Sequence, residues 1–326
     1  MEEKKMNNKQ VKKQIRDDFS SLHCNNLKEK LLFDIYSINQ IEPENQTKHF
    51  PFFRFNMSLL CIVIAFFLLL IPNDPSYEFL IAIDVNPSIE LQISKDNYIK
   101  KVVSCNSKAE QIIQNLELED KHIDEGIYSL MNCLFINDYI NNIDNSLLLS
   151  VQGNNKDSRE KVKTTIISDI KKVFQDYNFN ASILLQDLES NQTIRQCAKK
   201  YNISIGKAAI IQELINNNAS YSFDDLKDLS INDLNTLIHY KNLEFKKITK
   251  DGVESHEGYL RDSDIKNKVI SHSKALEEEI HEYSCTLDCK DNRLIYYVTF
   301  KDSYGAYQYL MNAISGEIIS FSVKIQ

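Results

Sequence analysis

Glycine and proline are scarce in this chain, whose 326 residues include seven glycines and five prolines. The scarcity excludes collagen-like and low-complexity polypeptides, which are rich in these residues. All five prolines lie within the first 87 residues, whereas every glycine lies after residue 125. The beginning of the chain is therefore built differently from the rest.

Cysteine and histidine do not occur in the patterns that mark a disulfide scaffold or a zinc site. The seven cysteines are dispersed, and only Cys285 and Cys289 are close in sequence. In a strand these two residues lie about 13 Å apart, which is beyond the reach of a disulfide. No Cys or His pair has zinc-finger spacing. We therefore predict no metal site and no cofactor.

Positive charge is not in excess, since 46 acidic residues stand against 38 basic ones and the net charge is −8. This balance argues against direct binding of nucleic acid. The apolar fraction of 43% is normal for a chain that folds. The length allows two or three domains.

One long apolar run is present, at Met57–Ile71, and it contains no charged residue. As a helix it covers about 22 Å, and extension back to Phe52 gives about 30 Å if Arg54 reaches the interface. We predict a transmembrane helix at 52–72. The alternatives are a buried core helix and a cleaved signal peptide, whose basic region would have to be unusually long.

Charge on the two sides of this run predicts its orientation. Residues 1–56 carry ten Lys or Arg, whereas Asp74, Glu78, Asp84 and Glu90 precede the next basic residue, Lys95. Because positive charge favours the cytoplasmic side, we predict a single-pass protein of the cell membrane with a cytoplasmic N-terminus and an extracellular C-terminus.

Residues 1–50 contain two short helical patterns of apolar residues. Such a segment is too small to bury a core of its own, so it is either loose in isolation or ordered by a partner. A simple anchor with a polar tail is the alternative. The apolar residues that we predict to contact a partner are Phe19, Leu22, Leu27, Leu31 and Ile35.

Strands and helices alternate after the run, which predicts an α+β fold. We predict a domain at 76–240, a charged linker at 241–258 and a second unit at 259–326. Strands are expected at 78–84, 88–94, 98–104, 146–152 and 181–187 in the first domain. The second unit is expected to be a helix on a four-stranded antiparallel sheet.

The sequence Asp84-Val-Asn-Pro-Ser88 lies between two predicted strands, where proline requires a special reason because it removes a ladder hydrogen bond. In most sequences the backbone nitrogen of the residue after an asparagine attacks the asparagine side chain and deamidates it. Proline has no N–H, so this route is closed. What remains is attack by the Asn86 side-chain nitrogen on its own carbonyl carbon, which closes a succinimide and frees Pro87. Asn86–Pro87 is therefore a candidate self-cleavage bond, although most Asn-Pro pairs are turns.

The run IAIDVNPSIELQISKDNYIKKV and the run NISIGKAAIIQELI at Asn202–Ile215 resemble the extracellular middle domain of RsgI-type anti-sigma factors. The resemblance covers about residues 76–240. It implies a single-pass membrane protein that holds an alternative sigma factor through its cytoplasmic segment. It also implies cleavage at Asn86–Pro87, with the two pieces staying together until a membrane protease acts. Such a protein is a regulator rather than an enzyme.

The N-terminal segment departs from the better-known family members, whose cytoplasmic part is rich in β-structure. Instead, NLKEKLLFDI resembles the short helical segment that precedes the membrane span in other bacterial anti-sigma proteins. The C-terminal unit, with DNRLIYYVTF and AISGEIISF, resembles a PepSY-type domain, which implies a role in modulating peptidases or in binding within the cell envelope.

Other patterns are weaker. Ser204–Lys207 and Ser271–Lys274 fit S-x-x-K, but the companion motifs of a serine hydrolase are absent, so we attribute both to chance. An envelope hydrolase therefore lacks support. The main alternative to an anti-sigma factor is a membrane-anchored extracellular binding or protease-inhibitor module that regulates no sigma factor.

Overall fold

The computed structural model describes residues 77–325, which fall within one compact unit. The predicted sigma-binding segment at 1–50 and the predicted transmembrane helix at 52–72 lie outside the described residues. Within 77–325, every helix is too short or too polar to span a bilayer.

Ten strands and eight α-helices make up the described part of the chain. In chain order they are β1 (Phe79–Asp84), β2 (Ser88–Ile93), β3 (Ile99–Ser104), α1 (Ser107–Ile113), α2 (Ile123–Ile136), β4 (Ser146–Gly153), α3 (Lys156–Asp176), β5 (Ser182–Leu188), α4 (Gln192–Tyr201), α5 (Ile205–Asn217), α6 (Phe223–Leu226), α7 (Ile231–Tyr240), β6 (Ile248–Asp251), α8 (Asp262–Ser273), β7 (His281–Lys290), β8 (Arg293–Lys301), β9 (Gly305–Asn312) and β10 (Ile318–Ile325). A single 3₁₀ turn, Glu277–Glu279, precedes β7.

The first sheet has six strands in the order β3-β2-β1-β4-β5-β6. Strand β1 pairs antiparallel with β2 on one side and with β4 on the other, and only β4 and β5 run parallel. The β4–α3–β5 segment is the crossover connection that a parallel pair requires.

Strand β1 is buried along its whole length because both faces of the first sheet are covered. Leu80 and Ala82 pack into one apolar cluster, whereas Ile81 and Ile83 point to the other side and pack into a second. A strand buried on both faces has a continuous apolar sequence rather than an alternating one, as FLIAID shows.

Helices α2 and α3 cover one face of this sheet, and α5 and α7 cover the other. Helix α3 begins where the Asn155 side chain accepts a hydrogen bond from the Ser158 N–H, and it buries a stripe at Val162, Ile166 and Ile170. The cap and the four-residue spacing explain why this polar segment is helical.

The second sheet is an antiparallel meander of β7 to β10. Helix α8 packs on it through Ile265 and Val269, which belong to the same apolar cluster as α5 and α7. The α5–α7 layer therefore lies against both sheets.

The mixed α+β prediction is confirmed. The segment 241–258, predicted as a linker, instead contains β6, which pairs with β5 at the edge of the first sheet. Glu254, three residues after this strand, is buried. The sequence pattern did not indicate the strand because β6 has four residues, three of them exposed and two of them charged.

Candidate functional site

The Asn86–Pro87 bond lies in the three-residue loop that joins β1 to β2. Asp84 and Ser88 are directly opposite each other at the base of this loop, and the Val85 N–H donates to the Pro87 carbonyl oxygen at 3.1 Å. Pro87 is buried, while Asn86 is partly exposed. Because Pro87 lies in the loop, it removes no ladder hydrogen bond from the sheet.

Asp84, two residues before Asn86, is fully buried. Its Oδ2 accepts a hydrogen bond from the Ser204 hydroxyl at 2.6 Å, and its Oδ1 has no hydrogen-bond partner among residues 77–325. Burial raises the pKa of the Asp84 carboxyl to about 6, and the Ser204 and Ser88 hydroxyls and the Lys207 charge limit the rise. The group therefore changes its charge close to neutral pH.

The partner of Asp84 comes from the first turn of α5. Ser204 is the N-cap of this helix, and its hydroxyl oxygen also accepts a hydrogen bond from the Lys207 N–H at 2.9 Å. The Ser204 side chain thus satisfies one free N–H of the helix while it donates to Asp84. The positive end of the helix dipole also favours a carboxylate at this position.

A second carboxylate reaches the same helix end from β2. Glu90 Oε1 accepts a hydrogen bond from the Ile205 N–H at 2.7 Å. Asp84 and Glu90 lie on opposite sides of the Asn86–Pro87 loop in sequence, so the two arms of the hairpin both attach to the beginning of α5.

Lys207 extends from this turn into the protein interior, where its Nζ donates to the Leu229 carbonyl oxygen at 2.6 Å. Burial lowers the pKa of the Lys207 ammonium to about 8, and the charge of Asp84 opposes this shift. Two residues after Leu229, the Ile231 N–H donates to the Val85 carbonyl oxygen at 3.3 Å. The beginning of α7 therefore contacts the loop as well.

Gly206 allows α5 to approach the sheet closely. A Cβ atom at this position would lie 2.3 Å from the Ser150 hydroxyl oxygen of β4. The sequence Ser204-Ile-Gly-Lys207 therefore has a structural explanation: serine caps the helix, glycine permits the contact with β4, and lysine anchors the Leu229 carbonyl.

Cys105 also lies next to the hairpin, since its N–H donates to the Ser88 carbonyl oxygen at 2.9 Å. Burial raises the pKa of the Cys105 thiol far above its usual range, and the charges of Glu90 and Asp84 raise it further. The thiol is therefore protonated and a poor nucleophile. Among residues 77–325, no group of three His, Cys, Asp or Glu residues is arranged to hold a metal ion.

Some of the predicted site residues can be placed and others cannot. The structure places Asn86 and Pro87 in the β1–β2 loop, whereas the predicted sigma-binding residues Phe19, Leu22, Leu27, Leu31 and Ile35 lie outside the described residues. Sequence reasoning identified Asp84 only as the end of a strand and did not identify Glu90. It treated Ser204 and Lys207 as a chance match, although they lie in the second run that carries the family resemblance.

Residues 78–213 match the family described as the anti-sigma factor RsgI-like central domain. The chain is 26% identical over 206 residues to the anti-sigma-I factor RsgI6 of Acetivibrio thermocellus, covering 60% of this chain and 27% of that protein. It is 24% identical over 195 residues to RsgI8 of the same organism, covering 59% and 48%.

A more distant relative is the anti-sigma-I factor RsgI of Bacillus subtilis, which is 22% identical over 155 residues, covering 47% of this chain and 39% of that protein. The matched region thus spans between about a quarter and a half of the length of these relatives. The family match ends at residue 213, so the PepSY-like resemblance of 259–326 stays a prediction. Residues 78–213 of this chain are thus similar to the RsgI-like anti-sigma factor central domain.

Proposed function

We propose that this chain is a single-pass membrane anti-sigma factor whose outer part relays a signal through the Asn86–Pro87 hairpin. The observation that carries the proposal is the RsgI-like central domain, in which this bond lies in a tight loop after a fully buried central strand. The names of the relatives support an anti-sigma role. The orientation proposed from the charge distribution places residues 1–50 in the cytoplasm and the described residues outside.

In this proposal the cytoplasmic segment holds an alternative sigma factor through Phe19, Leu22, Leu27, Leu31 and Ile35. The test is binding of purified residues 1–56 to the sigma factors encoded in the same genome. Replacing Leu27 and Leu31 with serine should abolish binding because it removes apolar contact surface. Glu29→Ser, which leaves the apolar positions intact, is the control. Absence of binding to every such sigma factor would contradict the proposal.

The outer domain cleaves itself at Asn86–Pro87 in the same proposal. The Asn86 Nδ2 attacks the Asn86 carbonyl carbon, the bond to the Pro87 nitrogen breaks, and one proton passes from the amide nitrogen to the Pro87 nitrogen. The first piece then ends in a succinimide and the second begins with Pro87. The step needs no oxidant, reductant or water, although water later opens the succinimide.

The position of β1 explains how the two pieces would stay together after the cut. Strand β1 belongs to the first piece, but it remains paired with β2 and β4 of the second piece. Its buried side chains Leu80, Ile81 and Ile83 contribute about 1.5–3 kcal/mol each through burial. Separation therefore requires that the strand is pulled out of the middle of a sheet, after which we propose that a membrane protease releases the sigma factor.

Intact mass of purified residues 76–326 tests the self-cleavage. The wild type should give two masses under denaturing conditions and a single peak in native gel filtration. The two masses should sum to that of the intact chain while the succinimide persists, and should exceed it by one water after hydrolysis.

Two variants and a control make this test specific. Asn86→Ala should stay intact because the attacking nitrogen is missing, and Pro87→Ala should deamidate slowly rather than cleave. Asn115→Ala, at an exposed asparagine in a helix-end turn, should cleave like the wild type. A wild-type domain that is folded and remains a single chain would overturn the proposed cleavage.

Protease protection on intact cells tests the topology. A tag at the N-terminus should be protected, whereas one at the C-terminus should be digested. Digestion of both tags, or of neither, would contradict the proposed single pass through the membrane.

A further inference from the structure

Two segments that are far apart in sequence meet behind the Asn86–Pro87 loop. The hydrogen bond from Ser204 to Asp84 joins residues 120 positions apart, and the one from the Ile205 N–H to Glu90 joins residues 115 positions apart. The first turn of α5 is thus fixed to both arms of the hairpin.

Burial of the Asp84 carboxyl destabilises the folded state, which is unexpected for a group whose only role is to support the fold. One of its two carboxylate oxygens has no hydrogen-bond partner among the described residues, and an unpaired buried acceptor is destabilising. An asparagine or serine at the end of β1 would avoid burying a charge. Features that oppose stability in a well-packed sheet are concentrated at functional sites.

The chemistry proposed for Asn86 requires a proton to move. The side-chain amide nitrogen must lose a proton as it attacks, and the Pro87 nitrogen must gain one as it leaves. Asp84 lies directly opposite Ser88, the residue that follows Pro87, so its carboxylate is at the base of the reacting loop. Ser204 holds one of its oxygens, and Lys207 supplies a compensating charge.

We propose that Asp84, held by Ser204 and balanced by the Lys207 charge, is a positioning residue that sets the rate of cleavage at Asn86–Pro87. This inference rests on the self-cleavage proposed above. In it, the Ser204-Ile-Gly-Lys207 sequence holds the carboxylate at the loop, and ionisation of that carboxylate fixes the hairpin ends in the geometry and charge that the reaction needs.

The charged groups around Asp84 and Lys207 predict the pH dependence of the rate. Asp84 faces Glu90 on β2, Cys105 after β3 and Lys207 on α5. The groups that act on the Lys207 charge are Asp84, Asp228, Asp233 and Lys108. Asp84 ionises above about pH 6, and Lys207 loses its charge above about pH 8. Both are charged between these limits, so the rate should have its maximum there.

The experiment measures the rate at which the two pieces form after residues 76–326 are refolded from denaturant, followed by intact mass between pH 5 and pH 9. Asp84→Asn should lower the rate about 100-fold and remove the rise near pH 6. Ser204→Ala should lower it about tenfold, as expected for a lost hydrogen bond to a charged group, and Ser204→Thr should restore it.

Ser182→Ala is the matched control, because the Ser182 hydroxyl is as deeply buried as that of Ser204 but lies on β5 and accepts its hydrogen bond from Asn235. It should cleave at the wild-type rate with the wild-type pH profile. A thermal midpoint for each variant shows whether it is folded. If Asp84→Asn does not fold, the Ser204→Ala and Ser204→Thr pair decides the question.

The outcomes separate this inference from the proposal on which it rests. A wild-type domain that folds but stays intact overturns the self-cleavage and the inference together. A wild-type domain that cleaves, with Asp84→Asn or Ser204→Ala cleaving at the same rate and with the same pH profile, overturns the role of Asp84 and leaves the self-cleavage standing.

Discussion

The Ser204 hydroxyl donates a hydrogen bond to the Asp84 carboxylate at 2.6 Å, which joins the end of β1 to the beginning of α5. Asp84 precedes the Asn86–Pro87 bond and Ser204 follows it. If that bond is cut, this hydrogen bond connects two separate pieces, as do the ladders of β1. The residues that we propose to control the cut are thus also among those that hold the cut pieces together.

The burial of Asp84 predicts how the stability of the domain depends on pH. Its pKa in the folded state is raised from 3.8 to about 6, so the folded state binds more protons than the unfolded state between these values. The free energy of unfolding should therefore fall as the pH rises through this interval. A shift of this size corresponds to about 3 kcal/mol.

Urea unfolding at pH 4 and pH 7 measures this effect, with Asn86→Ala as the background so that the chain stays intact. Asp84→Asn cannot ionise at this position. Between pH 4 and pH 7 its free energy of unfolding should therefore rise by about 2 kcal/mol relative to that of the background, because at pH 4 more than half of the unfolded chains already carry a charged Asp84. If the difference in free energy of unfolding between the two chains is the same at pH 4 and pH 7, the folded state does not raise the pKa of Asp84.

Gly206→Ala is expected to destabilise the domain, because the new methyl group would meet the Ser150 hydroxyl oxygen at 2.3 Å and the Ser150 Cβ at 2.8 Å. Overpacking of this kind lowers the free energy of unfolding by about 1–3 kcal/mol. Ser150→Ala in the same chain should recover part of the loss, since it removes the nearer atom and leaves the other.

Gly258→Ala is the control for this prediction, because its close neighbour is the γ2 methyl of Ile143, a side chain that is half exposed and can move toward solvent. It should change the urea midpoint little. If Gly206→Ala is as stable as the wild type, the close contact between α5 and β4 is not present in solution.

Much of the first sheet could be predicted from the sequence because its central strands, β1, β4 and β5, are strongly apolar. The run that forms β1 is continuous because the strand is buried on both faces, and the stripe of α3 follows the helical period. Strand β6 could not be predicted, because one face of an edge strand is open and its side chains need not be apolar.

The candidate site was predicted only in part. Asn86 and Pro87 are adjacent, and their chemistry depends on the local sequence, so the motif alone pointed to them. Asp84, Glu90 and the first turn of α5 act through contacts between residues more than 100 positions apart. Contacts between residues so far apart leave no regular spacing in the sequence from which they could be predicted. Ser204 and Lys207 therefore matched an unrelated motif, although their structural role is to cap a helix and bind a carbonyl.

Glu254 should stabilise the attachment of the segment after β6. Its side chain is buried and pairs with Lys250, and His239 Nδ1 lies 3.2 Å from its Oε1. Burial alone would raise the pKa of the Glu254 carboxyl, but the Lys250 hydrogen bond and charge lower it below its ordinary value. The stabilisation is therefore present above the ordinary carboxyl pKa and is lost as the pH falls through the lowered value.

Glu254→Gln keeps the size of the side chain but removes its charge. It should lower the free energy of unfolding by about 1–3 kcal/mol at pH 7. The cost should shrink in acid as the wild-type carboxyl becomes protonated. Urea unfolding at pH 7 and pH 3.5 measures both values, with Glu257→Gln on the exposed side of the same loop as the control. An equal cost at both pH values would show that the charge of Glu254 is not responsible.

Leu80 tests how firmly β1 is held in the sheet. The side chain is buried in the cluster shared with α5 and α7, so Leu80→Ala should lower the free energy of unfolding by about 2–5 kcal/mol in the intact Asn86→Ala background.

In the cleavable chain the same loss of buried surface should weaken the association of the two pieces, since nothing covalent then holds β1. The pieces that co-elute in native gel filtration for the wild type should separate under mild urea for Leu80→Ala. Leu276→Ala, at a largely exposed leucine outside the sheet, is the matched control and should leave the pieces together. Equal association of the pieces in both variants would mean that the ladders of β1, rather than its buried side chains, determine when the first piece is released.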